Sequence, residues 1–321
     1  MSTPSTRFVV FAALAGNLLV ALTKTAAAVW SGSSSMASES VHSFVDTGNE
    51  LLLLYGMRRS RKPPDRVHPI GYGRELYFWS FVVALLVFAA GAGVSLVQGV
   101  MHLRAPQEIE NAHVNYVVLG LSFLFEGGSF IVSLRQFRAA QGTRGWFAAF
   151  RASKDPPSFM VLFEDSAALL GIALAALGTW GSDSFGLLWV DGVASILIGV
   201  VLAGVALLLG RESKSLLIGE RIEHGLSEAI LAQANGQEGV HRAHGLFSVH
   251  LAPDQVVVAL SLEFRDELTA PQIEAAVRGL EKRVREAHPE VVSLLVKPQT
   301  EAGWREENAK RAAGPPGTDS P

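Results

Sequence analysis

A chain of 321 residues that is 49% hydrophobic and only 18% charged is too apolar for an ordinary soluble protein of its length, and indicates a membrane body with a polar appendage. Its formal charge of −3 sums an uneven distribution, and nothing in it suggests a nucleic-acid partner. There is no cysteine, so disulfides and thiolate metal sites are excluded, and any bound metal must use His, Asp, Glu or backbone oxygen.

Runs of membrane length predict six helices. The first, about Arg7 to Trp30, carries Asn17 and Lys24, seven residues apart and so on one face. Its leading sequence MSTPSTRFVVF has one basic residue and no small-residue cleavage site, so a retained helix is expected and not a signal or Arg-rich transit peptide. The second, Ser31 to Gly56, is weak in hydropathy because it carries Glu39, His42, Asp46 and Asn49. Their steps of three, four and three put them on one helical face. Ionisable groups at membrane depth are costly, so they face a bundle interior or an aqueous cavity. His42 and Asp46, one turn apart, can offer an imidazole nitrogen and a carboxylate oxygen to one small ion. That is first-row metal chemistry, with zinc foremost. Interhelical hydrogen bonding is the other use of such polar residues.

The third helix is expected from about Leu76 to Met101, and the fourth, about Val114 to Leu134, holds Glu126. The fifth, about Ser158 to Trp180, holds the adjacent pair Glu164 and Asp165, and the sixth, about Phe185 to Leu209, begins near Asp191. Asp165 is the expected partner of the polar stripe. Glu164 points about 100° away and is expected to bond a neighbouring helix, Lys24 being one choice, or to be an additional ligand. Glu126, Asp191 and Asn17 read as relay or packing groups. Arg58, Arg59, Arg61, Lys62, Arg66 and Arg74 crowd the loop between the second and third helices. Arg135, Arg138, Arg144, Arg151 and Lys154 crowd that between the fourth and fifth, while the alternate loops hold only Arg104. Basic loops stay cytoplasmic, so both termini are expected there.

Composition changes at Arg211. An amphipathic helix is expected over Glu220 to Ala234, then strands over Val240 to Leu251 and Gln255 to Phe264. Thr269 to Gln272 reads as a capping-box start for a second helix, and Val291 to Val296 as a last strand. This αββαβ order suits a cytoplasmic α+β domain of ferredoxin-like type. The expected organisation is a membrane domain over 1–210, this domain over 211–300, and a disordered tail over 301–321. His241, His244 and His250 cluster within it, and His244 and His250 share strand parity, a weak candidate for a second metal site. Neither a phosphate-cradling glycine loop nor a nucleophile–base arrangement is present, which argues against ATP use and against an enzyme.

Beyond these patterns, GSSSM at 32–36 leading to Glu39 and HSFVD at 42–46 resembles the cation diffusion facilitator family of zinc transporters, as do NELLLLYG at 49–56, HPIGYGRELYFW at 68–79 and LIGE at 217–220. The resemblance covers nearly the whole chain. It implies a homodimeric proton-coupled exporter of a divalent cation, most simply Zn²⁺, by alternating access in a bilayer such as the bacterial inner membrane, with no cofactor beyond the transported ion. It also implies a metal site of His42 and Asp46 from the second helix and Asp165 from the fifth. The family's fourth ligand position is occupied here by Val161, which cannot bind metal, leaving a site open to water, Glu164 or Asn49. FEDSAALLG at 163–171 looks like the branch containing the mitochondrial zinc transporter 9 and its bacterial relatives. Less imidazole favours harder ions, so export of Mn²⁺, Fe²⁺ or Co²⁺, or a transport-deficient regulatory role, stand as the alternatives. The second and third strands lack the usual histidines, so a soluble domain that dimerises without a metal cluster is expected.

Overall fold

A computed structural model describes residues 6–109, 111–141, 145–146, 149–150 and 153–313 of the chain. Arg144 and Arg151 of the second basic loop lie outside the described residues. The chain divides into two compact units at Leu217/Ile218, a few residues beyond the composition change at Arg211, because the last helix of the first unit runs on to Ile218.

The first unit is helical: α1 (Thr6–Ser31), α2 (Ser34–Ser60), α3 (Glu75–Arg104), α4 (Ala112–Gln141), α5 (Pro156–Phe185) and α6 (Trp189–Ile218). Among the described residues, α3 to α6 are long and apolar enough to cross a membrane by length and composition. Their burial pattern is inverted relative to a soluble protein. Leu121, Phe123, Leu124 and Phe125 of α4 are exposed, as are Leu177 and Trp180 of α5 and Leu197, Val200 and Leu207 of α6. Glu39, His42, Asn49, Glu164, Asp165 and Asp191 are buried. An apolar outside around a polar inside is what a bilayer solvent selects.

Small residues let these helices approach closely. A Cβ on Gly99 of α3 would meet the Gly192 carbonyl of α6 at 2.7 Å, and one on Gly56 of α2 would meet Trp79 Cβ of α3 at 2.9 Å. Helix α3 carries a π-helical segment over Val87–Ala92, a local widening that sequence periodicity does not show. Helix α5 ends where Gly186 takes φ +66°. The Gly186 amide then reaches the Ser182 carbonyl, an αL-type close, and the Leu187 amide that of Gly181, and the chain turns into α6.

The loop between α2 and α3 is ordered by Asp65. Its carboxylate accepts the amides of Val67 and His68 at 2.9 and 2.7 Å and the Tyr72 hydroxyl at 2.6 Å. The Tyr72 hydroxyl, with those amides, holds the Asp65 carboxyl down at about 2. Arg59 and Lys62 lie over the Tyr72 ring.

The second unit has the order α7 (His224–Asn235), β1 (Val240–Ala252), β2 (Gln255–Phe264), α8 (Ala270–Ala287), β3 (Val291–Pro298), α9 (Glu301–Ala313). The strands lie in the order β1-β2-β3, with β1/β2 antiparallel and β2/β3 parallel. Val256, Val258, Leu260 and Leu262 of β2 alternate into a core with Ile230, Leu280 and Val284 from the helices. The Thr269 amide and hydroxyl both donate to Gln272 at 2.8 Å and start α8. Helix α7 begins four residues later than its amphipathic pattern predicts. The preceding segment is held on β1 instead, with the His250 amide on the Glu220 carbonyl and the Ile222 amide on Ser248.

The expected disorder from 301 is corrected over Glu301–Ala313, which is helical. Trp304 anchors α9: its ring stacks 6.0 Å from that of His244 and covers Gly245, where a Cβ would sit 2.7 Å from the indole nitrogen. Residues 314–321 lie outside the described residues.

Candidate functional site

The GSSSM motif exists to start α2. Ser33 is its N-cap and accepts the Met36 amide at 3.2 Å. Asp191, at the start of α6, closes over the same turn. Its carboxylate accepts Ser33 Oγ at 2.8 Å, the Ser34 and Ser35 amides at 2.6 and 3.2 Å, and the Ser35 hydroxyl. A buried carboxylate at a helix N-terminus meets both the free amides and the positive end of the dipole. Asp191 is thus a clamp that fixes the entry of α2.

Along α2 the predicted stripe is present and faces the bundle interior. His42 Nδ1 lies 3.5 Å from Asp46 Oδ1, near enough to address one ion but outside hydrogen-bond geometry. Both ring nitrogens of His42, Asp46 Oδ1, Asn49 Oδ1 and Glu39 Oε1 are buried without a hydrogen-bond partner. Native proteins rarely leave such a row unpaired, because each orphan costs about 1–3 kcal/mol of desolvation. A cation between His42 and Asp46 would satisfy that pair, while Glu39 and Asn49, about 15 Å apart along the helix, cannot share one ion.

Helix α5 presents its two carboxylates to different neighbours. Glu164 accepts the Asn49 side-chain amide of α2 at 2.9 Å, and its charge acts on Asp46. Asp165 is turned to α4, where Ser129 and Ser133 donate to Oδ2 at 3.0 and 2.9 Å. The structure therefore brings Glu164 to the stripe and holds Asp165 away from it, the reverse of the order expected from the sequence. Val161 is exposed, and it lies one turn from Asp165. Among the described residues no three His, Asp or Glu side chains converge closely enough to hold a metal ion.

Lys24 does not reach Glu164. It crosses from α1 to Glu39 Oε2 at 3.1 Å and to Ser43 Oγ at 2.8 Å, and both charged side chains are fully buried. Sequence reasoning missed this pair, although Lys24 and Glu39 were each visible as costly intramembrane charges. Glu39 sits against Gly171 of α5, where an added Cβ would fall 2.1 Å from Oε1. Glu126 of α4 is half-buried and within electrostatic reach of Lys24, Glu39, Asp46 and Asp165. Asn17 is exposed and donates to Glu50 at 3.0 Å, so it lies off the stripe.

In the second unit the register between β1 and β2 slips between Ala243 and Gly245. The extra residue is His244, which joins Glu263 at 2.8 Å on the face covered by Trp304. His250, opposite Val256, is buried. The bulge cancels their shared parity and separates them.

The sequence model of the cation efflux transmembrane domain matches residues 10–218. The chain belongs to the cation diffusion facilitator family. That makes it a membrane protein of a transporter family, not an enzyme. It is 31% identical over 244 residues to metal tolerance protein C4 of Arabidopsis thaliana, covering 75% of this chain and 53% of that protein. It is 30% identical over 258 residues to the mitochondrial proton-coupled zinc antiporter SLC30A9 of Xenopus laevis, covering 80% of this chain and 46% of that protein. The chain thus spans about half the length of these two relatives. With the cation-efflux pump FieF of Shewanella oneidensis it shares 23% identity over 284 residues, 88% of this chain and 90% of that protein.

Proposed function

We propose that this chain is a proton-coupled exporter of a divalent cation, with Zn²⁺ its first substrate candidate. The observation that carries this is the row of buried polar side chains on α2 with unpartnered atoms: His42, Asp46, Asn49 and Glu39. A first-row dication suits mixed nitrogen and oxygen donors, and His and Asp must be deprotonated to bind it. Metal and protons therefore compete for the same groups, which is the chemical basis of exchange. The relatives' names, a proton-coupled zinc antiporter among them, support the same reading.

In this proposal His42 and Asp46 are the ligands from α2, and α5 completes the site. Asp165 joins when it exchanges Ser129 and Ser133 for the ion, while Glu164 and Asn49 are the pair already in place. The change in which carboxylate of α5 faces α2 is the motion we assign to alternating access. Six spans are proposed, with α1 and α2 crossing beside the four apolar helices. Mean hydropathy undervalues α2 because its polar stripe is turned inward, where the ion passes. The αββαβ unit is assigned to the ferredoxin-like type and to the cytoplasmic side with both termini, following the basic loops. A homodimer in the bacterial inner membrane completes the proposal.

The test is metal uptake into proteoliposomes with and without a pH gradient, across Zn²⁺, Mn²⁺, Fe²⁺ and Co²⁺. Asp46→Ala and Asp165→Ala should each abolish gradient-dependent flux, and the preferred ion names the substrate. A wild-type protein that moves none of the four, or flux that ignores the gradient, would sink the antiporter reading. A silent Asp165→Ala beside an inactive Glu164→Ala would move the site to Glu164.

A further inference from the structure

We propose that Lys24 is a tethered counter-cation: its ammonium balances the acidic stripe of α2 while no metal is bound, and the incoming dication displaces it from Glu39. The inference rests on the transport reading above and adds a residue that reading does not require.

Among the described residues, Lys24 is the one lysine or arginine counted as buried, and it is fully so. A lysine held in a membrane bundle needs a reason, because a buried ion pair is seldom more stable than apolar residues of the same volume. Location supplies the reason. On α2, Glu39, His42, Ser43 and Asp46 follow one another at helical spacing, and Lys24 holds the first and third of them. Its charge acts on His42, Asp46 and Glu126 as well as on Glu39. Without metal the interior would otherwise gather the carboxylates of Glu39, Asp46, Glu126 and Glu164 with no cation among them.

Geometry also lets the pair open. Lys24 grips Glu39 through one oxygen, on a flexible four-carbon stem, and not through a rigid two-point fork. Glu39 Oε1 stays unpartnered against Gly171, so withdrawal of the ammonium frees a whole carboxylate beside the His42–Asp46 pair. A dication and an ammonium about one helical turn apart in a poorly screened interior repel one another, so metal entry favours that withdrawal. The lysine acts as a positioning residue that sets how tightly the empty site attracts a cation.

The experiment is calorimetric titration of the detergent-solubilised full chain with Zn²⁺ and with Mn²⁺, alongside flux. Lys24→Met should tighten metal binding about tenfold or more and slow turnover, since nothing then resets the empty site. Glu39→Gln should weaken binding, so the two halves of one ion pair shift affinity in opposite directions. A purely structural pair would weaken binding in both variants, and that outcome overturns the proposal. Mass-spectrometric acetylation of wild-type Lys24 gives a second readout, expected to rise at saturating Zn²⁺. It decides alone if Lys24→Met does not fold, and labelling unchanged by metal counts against displacement. Asp46→Ala separates the two readings: if wild type binds metal and Asp46→Ala does not, the transport site stands whatever Lys24 does.

Discussion

Gly171→Ala tests the packing of the buried ion pair directly. The new Cβ would lie 2.1 Å from Glu39 Oε1, against an ordinary contact of 3.4 Å or more, so the carboxylate must retreat by about 1.3 Å. It has little room, because Oε2 is held by Lys24 at 3.1 Å and the side chain is fully enclosed. Overpacking of this kind costs about 1–3 kcal/mol. Parting the pair outright would cost about 3–5 kcal/mol, since each charge would be stranded. Alanine's better helix propensity returns at most about 1 kcal/mol. The expected net loss is about 1–3 kcal/mol, a fall in melting temperature of several degrees by the scaling of single domains. Gly120→Ala in α4 is the control: nothing lies within 4 Å of its added Cβ, so it should melt no lower than wild type. Adding Glu39→Asp to Gly171→Ala shortens the acid and should recover part of the loss, a coupling of about 0.5–3 kcal/mol. Melting in detergent, followed by intrinsic fluorescence, reads all five proteins, Glu39→Asp alone included. If Gly171→Ala melts with Gly120→Ala, or Glu39→Asp shows no coupling, the close approach of α5 to the pair is wrong.

Two further predictions concern the segments outside the bundle core. Asp65 sits at about 2, below its ordinary 3.8, because its partners favour the ionised form. Its contribution to the 62–74 loop is therefore full above the ordinary value and fades as pH falls from about 3.8 towards 2. Tyr72→Phe removes the largest cause, so carboxyl ¹³C NMR should find Asp65 titrating closer to 3.8, and an unmoved titration would contradict the hydroxyl's role. In the second unit, Trp304→Ala should release α9 from β1. Amide exchange over Glu301–Ala313 should then speed by the equivalent of about 1–3 kcal/mol, less than a fully buried Trp would give. Unchanged protection there would mean that the helix is held by something other than the indole.

How far the sequence reached depended on whether a feature was set by one helix or by two. The stripe Glu39–His42–Asp46–Asn49 is a property of α2 alone, and periodicity located it with its inward face. The αββαβ order was equally readable, because alternation in β2 and the capping box at Thr269 are local signals. The choice between Glu164 and Asp165 is different. Adjacent residues point about 100° apart, and the rotation of α5 is decided by Asn49 on one neighbour and Ser129 and Ser133 on another. The same holds for Lys24, whose partner lies across the α1–α2 contact. It holds for Trp304 too, which gives an otherwise polar tail a reason to fold only because Gly245 leaves space on β1. The bulge at His244 shows the limit most sharply: one extra residue in a strand reverses every inference from parity beyond it. The buried charged residues were thus visible one by one, while their pairing was written in the packing. That pairing sets an ammonium against Glu39, the first position of the stripe. In the proposed exchange, the ion's competitor inside this bundle is a lysine as well as the proton.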